Sequence, residues 1–375
     1  MSRTEGWSTG RDQDSLHQLP ERPLPRPCTM IFSVMRTCYF STRIFALSLL
    51  LLFTVLPAVG DKKPKGPEKP VAGPRAAALR VTWLYVSPDL GAQKVDRVQI
   101  GREMVVAEKS GAWLRVYANT DIQELQEQKD APIFGTDETP PPVSGWMQSK
   151  GVVVETNAGG DQVLMGEAAN QESLASDARG PAKAAQNARL LYLRLAEMYP
   201  NSALAPEAAW RAADIQWQLQ KADAASRPSA KEKEAYLHDQ MDEEEMKKLI
   251  KGFPNTRQAA LAAFALIDNK LCGDWQGQAK CPEKESESYE KYAALYPDGP
   301  KTALALYQAV SRQAALTDMF AADGSDNKSS AAHNHARDLA ARLKEKFPQS
   351  DFTWRAAALV YKLDEGIPVY GNDRE

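Results

Sequence analysis

The side chains best suited to chemistry are few: four cysteines, four histidines and eight tryptophans in 375 residues. Cys28 and Cys38 fall in a leader region and are expected to be lost with it. Cys272 and Cys281 remain, in Cys-Gly-Asp-Trp-Gln-Gly-Gln-Ala-Lys-Cys. Two neighbouring cysteines in a polar loop of an exported chain favour a disulfide. Their spacing fits neither a two-residue redox motif nor a zinc knuckle. The alternative is a free Cys272 acting as a nucleophile beside a histidine brought near it in space. His333 and His335 stand two apart and so point to different faces of a helix. His238, beside Asp239, is read as the surface of a charged helix. Asp242-Glu243-Glu244-Glu245 before Lys247-Lys248 suits a solvated helix with opposite charges three or four apart. Glu243 and Glu245 do not share a face, so they make no paired-carboxylate site. No glycine-rich phosphate loop occurs. Catalytic, cofactor-binding and metal-ligating residues are all expected to be none.

Aromatic residues offer a second kind of chemistry. Trp113 and Trp146 are read as packing inside a small β domain, with ligand stacking, together with Tyr85, as the alternative. The strands that would position them are legible. Residues 79–86 (Leu-Arg-Val-Thr-Trp-Leu-Tyr-Val) are β-branched and aromatic, closed by Ser87-Pro88-Asp89. Residues 96–106, 112–117, 145–147 and 151–154 continue the pattern, punctuated by Gly, Pro and Asp. Short strands of this kind predict a small antiparallel barrel or sandwich. The residues Leu84, Tyr85, Val86, Gly101, Val105, Val106, Trp113, Leu114, Val116, Gly145 and Trp146 resemble the pattern of the bacterial SH3 domain over residues 78–155. That resemblance implies binding to cell-wall material or to a peptide. One departure is large: residues 119–143 insert between two strands that a compact SH3 hairpin joins tightly. A loop of that length is functional or disordered.

The second half repeats. Tyr199-Pro200-Asn201-Ser202, Phe253-Pro254-Asn255-Thr256, Tyr296-Pro297-Asp298-Gly299 and Phe347-Pro348-Gln349-Ser350 share one phrase, with aromatic spacings of 54, 43 and 51. Seven residues before the aromatic stand Tyr192, Met246, Tyr289 and Ala340, and four before it Leu195, Leu249, Tyr292 and Leu343. This is one apolar face at helical spacing. Proline ends that helix at the aromatic, and the Asn, Asp, Ser or Thr that follows can cap the next one. Nine after the aromatic every copy has alanine (Ala208, Ala262, Ala305, Ala356), and thirteen after it come Ala212, Leu266, Ala309 and Val360. The unit predicted is helix, tight turn, helix, with a small residue where the pair crosses. It resembles tetratricopeptide repeats of the bacterial envelope type over residues 184–364, and implies a surface that holds a protein partner. The fourth copy departs by having Ala358 where the others carry Trp210, Phe264 and Tyr307.

The N-terminus reads as an address. Residues 1–34 are a mis-assigned start or disordered leader, with Met30 and Met35 as alternative starts. In residues 35–60, Arg36 and Arg43 precede the apolar run 44–56, and Ala58-Val59-Gly60 offers a cleavage site, so the segment is a signal peptide. An uncleaved anchor is the alternative. Residues 61–77 form a Pro/Lys-rich disordered tether, 156–183 a Gly/Ala/Asn/Ser-rich linker, and 365–375 a frayed tail. The formal net charge of −3 gives no electrostatic case for nucleic acid. The sequence therefore predicts a multidomain α+β protein, an SH3-like β-barrel followed by a helical repeat array. The expected function is a non-enzymatic exported scaffold, periplasmic or extracellular, without a stable membrane span after cleavage. The array would hold an envelope protein or peptide segment, and the SH3-like module peptidoglycan or a peptide. The rival readings are an accessory or cryptic cell-wall hydrolase, and an assembly factor whose SH3-like module binds protein.

Overall fold

The computed structural model describes residues 72–121, 143–232 and 237–371. The leader, the signal-peptide reading, Cys28, Cys38, the tether up to residue 71 and nearly all of the 119–143 loop lie outside them. The described chain opens with seven strands: β1 (Arg75–Ala78), β2 (Thr82–Tyr85), β3 (Lys94–Val98), β4 (Glu103–Ser110), β5 (Trp113–Ala118), β6 (Val143–Gln148) and β7 (Val152–Val154). All pairings are antiparallel. The sheet runs β3-β2-β6-β5-β4-β1-β7 and is open, with β3 and β7 as its edges.

Period-2 alternation sorts each strand. Leu84, Met104, Leu114, Val116, Ala118 and Met147 gather into one core on one face of the sheet. β1 is buried on both faces. Ala76 and Ala78 join the sheet's core, whereas Ala77 joins the core of the first helices. Small side chains at three successive positions allow this double contact. The tether reading thus ran too far, because β1 begins at Arg75.

Nine α-helices follow among the described residues: α1 (Gly160–Ser176), α2 (Ala184–Met198), α3 (Ala205–Ser226), α4 (Glu244–Gly252), α5 (Arg257–Ala265), α6 (Lys280–Leu295), α7 (Thr302–Ala322), α8 (Asp326–Lys346) and α9 (Asp351–Asp364). The segment read as a linker holds α1. Its small residues serve packing, not flexibility. A Cβ on Gly160 would lie 2.0 Å from the Tyr199 hydroxyl, and Leu164 and Ala168 are fully buried against α2 and the sheet.

The four aromatic turns share one geometry. Tyr199, Phe253, Tyr296 and Phe347 each cap their helix with φ near −125° and ψ near 60°, within the ranges −124° to −129° and 57° to 66°. Each donates its N–H to the carbonyl four residues earlier: Leu195, Leu249, Tyr292 and Leu343. Ala208, Ala262, Ala305 and Ala356 are all fully buried. The expected cap on the second helix forms in two copies, where Thr256 Oγ1 accepts from Ala259 N and Ser350 Oγ from Phe352 N. In the first copy Ser202 Oγ accepts from Leu204 N at 3.2 Å and donates to Asp161 at 2.6 Å, and in the third and fourth copies Thr302 and Thr353 donate back to the carbonyls of Tyr296 and Phe347.

Candidate functional site

On β5, strand alternation sends Leu114 and Val116 into the core and Trp113, Arg115 and Tyr117 to the opposite face. Register places Trp146 opposite both Arg115 and Tyr85. The Tyr85 and Trp113 rings meet edge-on at 5.6 Å. The three aromatics named from the sequence therefore share one face. Trp113 and Trp146 are not inside the core as expected, because their neighbours Leu114 and Met147 take the inward positions; both are half-buried. Tyr85 is the most covered of the three, at 9% exposure. Trp83 was missed. It is the exposed aromatic of this sheet, with Lys94 Nζ 4.6 Å and the Arg97 guanidinium 5.2 Å from its ring centroid. Its signal was the alternation Trp83-Leu84-Tyr85 around the inward Leu84. Two cations over an indole are attracted to the ring's negative face.

Where the sheet meets the helices lies a charge network invisible in the sequence. Arg194 of α2, 2% exposed, reaches Glu103 at 3.3 Å, Asp121 at 3.2 Å and Glu197. Arg75 pairs with Glu103 and, at 2.8 Å, with Glu197. Arg102 reaches Asp121 at 3.4 Å. Three guanidiniums and three carboxylates thus interlock β1, β4, the start of the 119–143 loop and α2. The Tyr199 hydroxyl adds a hydrogen bond to the Val154 carbonyl of β7 at 2.9 Å.

Cys272 and Cys281 lie at disulfide distance, with Cα atoms 5.9 Å apart. Behind them sits Glu285, 2% exposed, which accepts from Cys272 N at 2.8 Å, Trp275 Nε1 at 3.2 Å and Arg312 Nε at 3.1 Å. The C-terminal stretch packs on this loop and is not frayed through residue 370. The Tyr370 ring packs against Trp275, tilted by 32° with centroids 5.8 Å apart, and Asp318 accepts from Val369 N and Tyr370 N. The histidines are dispersed. His333 bonds Asp364 at 2.8 Å and His335 bonds Glu290 at 3.1 Å, on different faces as their spacing requires. His238 is not helical; it bonds the Glu232 carbonyl at 2.7 Å. Lys247 and Lys248 pair with Glu243 and Glu244 one turn back, but Glu245 crosses to Arg189 of α2.

A groove of about 390 Å³ opens between α6, α7 and α8. Glu283, Glu287 and Glu290 form one wall, Leu316 and Phe320 the floor, and Lys328 and His335 the far side. Among the described residues, no helix is long and apolar enough to cross a membrane. No protein-family model matches this chain, and no curated protein matches it either.

Proposed function

We propose that this chain is a non-enzymatic binding protein, exported to the bacterial cell envelope, whose helical array holds a protein segment and whose sheet holds wall material or a peptide. In this reading the helices form a tetratricopeptide-like array and the sheet an SH3-like domain. The observation that carries it is the groove between α6, α7 and α8. It is apolar at the floor and acidic on one wall, and suits an amphipathic segment with basic residues along one edge. The identical turns and fully buried alanines of four units support a repeat scaffold, whose variable positions are free to make such surfaces. The aromatic face around Trp113 and Trp146 gives the sheet a second place for a ligand. A cysteine pair at bonding distance fits an oxidising compartment and withholds the thiolate that a cysteine hydrolase needs.

The test uses the chain from residue 61 onward, with envelope extract and with purified cell wall. Glu283→Lys with Glu287→Lys is expected to abolish retention of the protein partner and leave wall binding intact. Trp113→Ala with Trp146→Ala is expected to do the reverse. Release of soluble fragments from purified wall by the intact protein, or a free alkylatable thiol at Cys272, would overturn the binding-protein reading in favour of the hydrolase.

A further inference from the structure

The β3 edge of the sheet combines an open backbone ladder with uncompensated positive charge. β3 pairs with β2 on one side only, so its other side presents a row of backbone N–H and C=O groups. Register sets Arg97 opposite Trp83 and Lys94 opposite Tyr85. Two residues of β2 thus span three of β3, an irregularity that re-aims side chains at a sheet edge. Both cations end at one indole: Lys94 Nζ lies 4.6 Å and the Arg97 guanidinium 5.2 Å from the Trp83 ring centroid. Trp83 is 38% exposed, and Lys94 and Arg97 are exposed too.

Two like charges at one ring repel each other, and among the described residues neither has a carboxylate partner. The acids of the same hairpin are turned to backbone: Asp96 accepts from Arg97 N at 2.6 Å and Asp89 from Gly91 N at 3.0 Å. The contrast with other cations of the sheet is plain. Arg75 is paired with Glu103, Arg102 with Asp121 and Arg115 with Glu108. Apolar side chains flank the two free cations, since Val86, Leu90 and Val95 of the β2–β3 hairpin are all exposed. The edge therefore offers three things together: a backbone ladder, two cations and apolar contact between them.

We propose that the β3 edge takes an acidic, extended segment of a partner protein as an eighth strand. Such a segment lies about 4.8 Å from β3 and completes its backbone hydrogen bonds. Carboxylates on its alternate residues neutralise Lys94 and Arg97, and the residues between them meet Val95. Charge complementarity selects this occupant. A second copy of the chain is disfavoured, because β3 against β3 brings cations beside cations, and like charges across strands are destabilising. An acidic glycan would answer the cations but leave the open ladder unpaired. The site needs only β3 and Trp83, so it stands whatever the Trp113 face or the α6–α7–α8 groove binds.

Fluorescence anisotropy of short labelled peptides with the full chain, at about 1 µM to 1 mM protein, tests it. A peptide alternating Val and Glu is expected to bind, and one alternating Val and Lys to bind at least tenfold more weakly. Lys94→Glu with Arg97→Glu is expected to reverse that order, with circular dichroism unchanged, since both side chains are exposed. Strand addition is read on the peptide itself, where no variant can misfold. Of two versions of the Val–Glu peptide, each methylated on alternate backbone nitrogens, one is expected to bind and the other not, because only one set of N–H groups faces β3. Failure of the acidic peptide to bind the wild type overturns the inference, whether another segment of this chain closes the edge or an acidic glycan such as alginate binds in its place. So does binding that survives the double charge reversal. Equal binding of both methylated versions overturns it as well, leaving an anion site without strand pairing.

Discussion

At the scale of single residues, two positions decide how the sheet joins the helices. Gly101 has φ +73°, and a Cβ there would lie 2.6 Å from Leu190 Cβ. Gly111 has φ +58° but open space around it. Gly111→Ala should therefore cost only the backbone strain, about 1 kcal/mol. Gly101→Ala should cost that plus about 1–3 kcal/mol for overlap with α2. Urea midpoints of the two variants measure the difference, and equal losses would mean that α2 yields freely. Arg194 is the second position. Replacing it by Met leaves Glu103 and Asp121 buried with fewer cationic partners, and losing one side of such a network costs about 3–5 kcal/mol. Arg355→Ala, which breaks an exposed pair with Asp351, should cost less than about 1 kcal/mol. A comparable loss in both variants would show that the buried network is no stronger than a surface pair.

At the scale of elements, the repeats were readable and the junction was not. The aromatic-proline turns announced themselves because proline excludes helical geometry in the residue before it. Capping was only half legible: Thr256 and Ser350 cap their helices as expected, whereas Ser202 sits two residues before its helix's N-cap, Leu204, and bonds Leu204 N and Asp161. The Gly/Ala-rich stretch before α2 misled because composition does not separate flexibility from close packing; Gly160 under Tyr199 is the latter. Nothing local in Arg194, Glu103 or Asp121 marks them as partners, because they meet only through tertiary structure across 73 to 91 residues. The disulfide was legible from spacing and polarity. What it holds was not: Trp275 clamped between Glu285 and Tyr370. Converting Cys272 and Cys281 to Ser should cost about 2–3 kcal/mol by loop-closure entropy. It should also release Tyr370 from Trp275, read as faster amide exchange at Val369 and Tyr370. Unchanged exchange there would mean that the C-terminal stretch is held independently of the cysteine pair, by contacts such as Asp318 and the core around Val369.

At the scale of the whole described body, two buried tyrosines set an alkaline limit. Burial, aided by Glu172, pushes the Tyr192 hydroxyl up to about 12, and burial pushes Tyr292 up to about 12. An unfolded tyrosine ionises near 10.0. Below that pH both states keep the proton and stability is unaffected. Between 10 and 12 only the unfolded chain releases it, so stability falls as pH rises. Tyr192→Phe loses the hydrogen bond to Glu172 and should be about 1 kcal/mol less stable at pH 8. It should nevertheless lose less stability than the wild type between pH 9.5 and 11.5. Urea titrations at the three pH values give both numbers, and parallel losses would show that Tyr192 does not govern the alkaline limit.

The same body also unfolds as a unit or as parts, and its cores say which. Ala77 and Val153 of the sheet share one cluster with Leu164, Leu191 and Leu195 of the helices. Separating them exposes that cluster and strands Glu103 and Asp121 without Arg194. A β-sheet domain on a flexible linker would melt independently of the helices. A docked one melts with its first helices, because opening the junction costs both apolar burial and ion pairing. A probe on the sheet and one on α2 should therefore report the same thermal midpoint, and Arg194→Met should pull the sheet's midpoint below that of α6–α9. Two separate transitions already present in the wild type would restore the tethered-domain picture. Coincident ones mean that the sheet and its first helices unfold as one cooperative object, held by the shared apolar cluster and the Arg194 network.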